Sequence, residues 1–197
     1  MGNTPSAEDL EVALKAQTPP YVAFDSRFCF AEPTTLRVQG HLGHDDFEVF
    51  HLKSRELLFR IHTPSIVVAE YDRTTIYDAQ QNNRAIVALH KELARDNYFV
   101  TNAEATKHLF KVDASIGIDR IVINARFGDP VSGKKCRIET TGTRHTVVVW
   151  SVRASDLTPT PIARISGYEF SSYNVEVAPG VDSVLAVLLC FVKYRGT

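Results

Sequence analysis

Two groups of basic residues in this chain are spaced to meet an anion. Lys91 and Arg95 fall within His90-Lys-Glu-Leu-Ala-Arg95, and Lys134-Lys135 is followed closely by Arg137. Lysine point charges and arginine forks held on rigid strands suit a phosphate or another anionic headgroup. Glu92 and Asp96 dilute the first group. His41-Leu-Gly-His44, followed by Asp45-Asp46, offers metal-ligand types, but in a hairpin-like stretch without the further ligands that zinc motifs require. No metal or cofactor is expected. Neither a G-x-S-x-G elbow, nor H-E-x-x-H, nor a phosphate-cradling glycine loop occurs, so no catalytic residue is assigned and the chain reads as non-enzymatic.

Cys29, Cys136 and Cys190 are scattered and odd in number, which argues against a disulfide framework and for a reducing compartment. The formal net charge of −1 supplies no global field toward nucleic acid or membrane. Any such binding must come from a local patch. No basic stripe accompanies the aromatic strand residues, so nucleic acid is not expected as a partner. At the N-terminus, Gly2 with Ser6 matches the N-myristoylation pattern. A lone acyl chain gives only marginal, reversible anchoring, so the expected location is cytoplasmic, with partial residence at the plasma membrane. The reading is of a monomer.

These groups must be positioned by strands. From Tyr21 onward, short runs rich in Val, Ile, Thr and aromatics recur at roughly ten-residue intervals between turn residues, the punctuation of a sandwich or barrel. Residues 1–20 are polar and small, end at Pro19-Pro20, and read as a flexible arm outside a domain of residues 21–197. After Pro179-Gly180, Asp182 is a good N-cap, and Val184 to Val192 is apolar without interruption. A helix apolar on every side must be surrounded on every side. Spanning Asp182 to Tyr194, it measures about 20 Å at about 1.5 Å per residue, short of a bilayer core of about 30 Å. The economical solution is one central helix, about 182–194, threaded through a closed antiparallel β-barrel.

The order of several segments resembles the LURP-one-related family, within the tubby C-terminal-like superfamily that also includes phospholipid scramblases. The segments are Phe28-Cys29-Phe30 with Pro33-Thr-Thr-Leu36, Asp46-Phe-Glu-Val-Phe50, Leu57-Leu-Phe-Arg60, Arg73-Thr-Thr-Ile-Tyr-Asp78 and Ile86-Val-Ala-Leu-His-Lys-Glu92. Asn174-Val-Glu-Val-Ala-Pro-Gly-Val-Asp182, leading into the helix, completes the set. The turn after Asp78 lacks an expected glycine, and Lys193-Tyr-Arg-Gly-Thr197 replaces an acidic tail.

The resemblance implies a mainly β fold of about twelve strands around the C-terminal helix. It also implies a role in defence or stress signalling without established catalysis. Its tubby-type relatives imply phosphoinositide recognition, with Lys91 and Arg95 approximately where their basic cluster lies. An anionic phospholipid or an unidentified protein is the implied partner. Scramblase-like lipid transport and an enzyme site in the barrel mouth are the alternatives. Scramblases add palmitoylated cysteines and a calcium segment, whereas Ser171 to Val181 carries Glu176 as its only acid.

Overall fold

The structure, a computed structural model, describes residues 10–40, 46–63, 73–92, 97–116, 121–128, 133, 135–143, 145–153, 158–169 and 172–196. Twelve antiparallel strands form a closed barrel in which each strand pairs with its sequence neighbours and β1 pairs with β12. The strands are β1 (Thr34–Gly40), β2 (Phe47–His51), β3 (Leu57–His62), β4 (Arg73–Asp78), β5 (Arg84–Lys91) and β6 (Asn97–Asn102). They continue with β7 (His108–Ile116), β8 (Ile121–Gly128), β9 (Lys135–Gly142), β10 (Val147–Arg153), β11 (Thr160–Glu169) and β12 (Ser172–Val177). Closure leaves no edge strand among the described strands. The β-branched run Ile66-Val-Val-Ala-Glu-Tyr71, which reads as a further strand, lies outside the described residues.

Alternation sets the two faces of the wall. In β8, Ile121, Ile123, Ala125 and Phe127 are buried, while Val122, Asn124, Arg126 and Gly128 are less so. The inward residues close on the terminal helix, Ser183–Gly196, whose residues 183–193 are all buried. The helix is therefore the central rod that its uninterrupted apolar sequence demands. The turn from β4 to β5 manages without glycine because Asn82 and Asn83 adopt φ of 50° and 54°, a region Asn tolerates. Gln80 N–H also donates to Asp78 Oδ1 at 2.9 Å, tightening the same turn.

The N-terminal segment differs from the expected detached arm. Lys15 N–H donates to the Pro161 carbonyl and Gln17 N–H to that of Pro179, both at 2.9 Å, and Arg164 donates to the Val12 carbonyl. Residues 12–30 form a strap over the barrel end where the helix begins. Gly180 has φ +74°, and a Cβ there would lie 2.5 Å from the Gln17 carbonyl oxygen, so only glycine fits beneath the strap. Tyr21 packs edge-on against Phe127 at 5.6 Å, and Phe28 against Phe59 at 5.6 Å, sealing that end with aromatic rings.

Asp182 ties strap to helix. One carboxylate oxygen accepts from Ala23, Phe24 and Asp25 N–H at 3.1, 2.7 and 3.3 Å. The other accepts from Val184 N–H at 3.0 Å, capping the helix. Burial nevertheless pushes the Asp182 carboxyl up to about 6, against the pull of those four donors.

The opposite end closes on Phe47, Tyr173 and Tyr194, with ring centroids 4.9 Å apart for Phe47–Tyr194 and 5.9 Å for Tyr173–Tyr194. Among them, Lys193 is fully buried. Its Nζ lies 5.0 Å from the centre of the Tyr173 ring and has no hydrogen-bond partner among the described residues. Burial lowers the Lys193 pKa and pushes the Cys190 thiol up to about 12, which keeps that thiol inert.

Asp182→Ala strands four N–H donors and should cost about 3 kcal/mol or more in chemical denaturation. Because the Asp182 pKa is higher folded than unfolded, the native chain binds the extra proton between about pH 4 and 6. Its contribution should fall by about 3 kcal/mol as pH rises through that window, and Asp182→Asn should flatten the slope. Lys193 has the opposite sign: its lowered pKa makes stability rise with pH toward the ordinary lysine range. Lys193→Met, which removes the unpartnered amine at similar volume, should stabilise the fold by about 1–2 kcal/mol at neutral pH, read from the denaturation midpoint.

Candidate functional site

Lys91, Lys135 and Arg137 are described; Gly2, Arg95 and Lys134 lie outside the described residues, as do His41, His44 and Asp45. The two predicted basic groups do not meet. Lys91 ends β5 with the inward parity of Val87 and Leu89, and its Nζ sits 6.0 Å from the Tyr98 ring centre at the mouth of the barrel. No space for a water molecule remains between Thr74, Leu89, Lys91, Tyr98, Phe191 and Arg195. Lys135 and Arg137 instead flank the buried Cys136 on β9 and belong to the outer face. Following paired residues from Lys91 through Tyr98, Val112 and Ala125 leads to Ile138, beside Arg137 but four strands away. At about 4.8 Å per strand that separation is about 19 Å along the wall.

The loop acid Asp46 holds His62 at 2.7 Å (Oδ1 to Nδ1) and accepts from Thr63 N–H at 3.3 Å. Among the described residues, no three His, Cys, Asp or Glu side chains are grouped to hold a metal ion.

On the outer face, Lys135 and Arg137 line a groove of about 710 Å³ with Arg126, a residue the sequence reading did not select. Leu109 and Val152, with the buried Phe127 and Cys136 beneath, form its apolar lining, and among the described residues no acidic side chain lines it. The positions of Gly128 and Gly133 are open enough that an added Cβ would meet nothing within 4 Å. Arg126 and Arg137 are direct cross-strand partners, although like charges in that relation repel. Arg137 is drawn to Glu139 at 3.1 Å, and its Nε is buried without an acceptor among the described residues. Neither Arg126 nor Lys135 forms an ion pair among the described residues.

The groove terminates a longer row. Arg73 pairs with His90, His90 with Phe99, Phe99 with Lys111, Lys111 with Arg126, and Arg126 with Arg137. Their chain neighbours Leu89, Val100, Val112, Ala125 and Ile138 are buried in the core, so the row itself belongs to the outer face. It crosses six adjacent strands, about 24 Å at about 4.8 Å per interval. A basic row with an aromatic member thus exists where the linear sequence shows no stripe. The signal lies in strand parity and hairpin register, because each strand contributes one member.

Among the described residues, no helix is long and apolar enough to cross a membrane. No curated protein matches the chain. The family model for LURP-one-related proteins matches residues 34–192, from the first strand of the barrel to the last buried turns of its helix, and the chain belongs to that family.

Proposed function

We propose that the chain is a non-enzymatic, membrane-proximal binding module that recognises an anionic lipid headgroup in the groove of Arg126, Lys135 and Arg137. The observation that carries this reading is the convergence of three cations on a groove that, among the described residues, has no lining acid. Two guanidinium forks can grip phosphate oxygens in a bidentate manner, and the lysine adds a point charge. Leu109, 37% exposed beside these cations, gives the surface an apolar contact for the boundary between headgroups and acyl chains. Each basic side chain near an anionic leaflet contributes about 1 kcal/mol, so the groove alone gives modest affinity. A myristoyl group on Gly2 would supply the second signal that reversible anchoring needs. The helix-filled lumen favours recognition at the outer face over chemistry in the barrel mouth.

Sedimentation with phosphatidylcholine vesicles, with and without a phosphoinositide, tests the groove. Wild-type chain should sediment with the anionic vesicles, less so as salt rises. Arg126→Ala combined with Arg137→Ala should weaken binding by about thirtyfold, while Lys91→Ala, on the inward parity, should leave it unchanged. Equal sedimentation with neutral and anionic vesicles would overturn the reading. For the tether, intact mass after expression with an N-myristoyltransferase should show the acyl increment on wild-type chain and none on Gly2→Ala.

A further inference from the structure

Beyond the groove, the row continues into a second basic cluster. His108, at the start of β7, meets the half-buried Phe99 edge-on, with ring centroids 5.6 Å apart and planes at 82°. Lys111 Nζ stands 5.7 Å from the centre of the same ring. On the other flank of Phe99 is its register partner His90, and beside that is Arg73. One imidazole and an ammonium therefore meet the Phe99 ring, and a second imidazole and a guanidinium follow on the next two strands.

Among the described residues their neutralising contacts are few. Arg73 Nη2 donates to the Ala103 carbonyl, and its Nε is buried without an acceptor among the described residues. His90 Nε2 lies 3.4 Å from Thr101 Oγ1, a neutral partner. Among the described residues, Asp113 pairs with Lys111 itself at 3.1 Å in an exposed ion pair that solvent screens, while Glu104 is held by Asn102 Nδ2 at 2.8 Å and Glu92 by Asn97 Nδ2 at 3.0 Å. Lys107, in the turn before His108, adds another cation. Burial, then repulsion from Arg73 and His108, lowers the His90 pKa. A dianion placed among these groups offsets that repulsion and favours the imidazolium form.

We infer that Arg73, His90, His108 and Lys111 form a phosphomonoester site that takes up a proton as the phosphate docks. None of the four lines the groove proposed above, so the two sites are separable. Arg73 and Lys111 supply permanent charge for the first negative charge of the phosphate, and the imidazoles supply switchable charge for the second. A lipid headgroup and a free phosphomonoester present the same chemistry.

The test is calorimetric titration of the full chain near pH 6 and near pH 7.5, in two buffers of different ionisation heat. One arm uses glycerol 3-phosphate and the other phosphatidylcholine vesicles containing phosphatidic acid. Saturable binding should be about tenfold tighter at the lower pH, the effect of one pKa unit of linkage. Buffer dependence should reveal proton uptake. His90→Gln with His108→Gln should remove that uptake while retaining binding at the higher pH. Binding in either arm alone upholds the site and identifies the source of its phosphate. Arg126→Ala with Arg137→Ala should preserve uptake from glycerol 3-phosphate, which separates a failure here from a failure of the groove. Absence of saturable binding in both arms, or uptake unchanged in the double-histidine variant, overturns the inference.

Discussion

A helix without a polar face imposes the constraint from which the rest of this structure follows. Every side of residues 183–193 must be covered, and twelve strands closed upon themselves provide that cover. The inward half of the wall is thereby committed to apolar contact. Its ends are closed by different means: the strap and the Asp182 carboxylate at one, and the rings of Phe47, Tyr173 and Tyr194 around Lys193 at the other. With the interior occupied, side chains free to meet a ligand belong mainly to the outward half of each strand. That division explains why the cationic row lies on the convex surface.

The architecture was legible because it rests on patterns that survive in one dimension. An unbroken apolar run, an N-cap after Pro-Gly and short β-rich segments between turns are enough to specify a rod and a wall around it. The strap was not legible. Residues 12–17 are held by backbone bonds to Pro161 and Pro179, which do not depend on residue type, and by Leu14 packed against the core. Asp182 shows the same limit in one residue. Its role as an N-cap was visible, but its three bonds to Ala23, Phe24 and Asp25 come from a segment distant in sequence.

The cationic outer surface was legible only in part. Sequence proximity rightly associates Lys135 with Arg137, which share a face of β9 at a spacing of two. Lys91 lies apart from them, its parity turning it toward the mouth of the barrel. Arg126 escaped notice because its neighbours are Ala125 and Phe127, and nothing local marks it as part of a group. Only the pairing of β8 with β9 brings it opposite Arg137. His90 and the pair His108 and Lys111 are likewise separated, on β5 and β7. Clusters assembled across strands are invisible until register is known.

The union of strap and helix also fixes when this chain can finish folding. Ala23 donates to Asp182 across 159 residues, and β1 needs β12 for its second edge. A ribosome must therefore release nearly the whole polypeptide before the first strand finds its last partner, and until then the wall stays open with its apolar lining uncovered. Contacts so distant along the chain slow folding, and such open intermediates are the species that chaperones shield from aggregation.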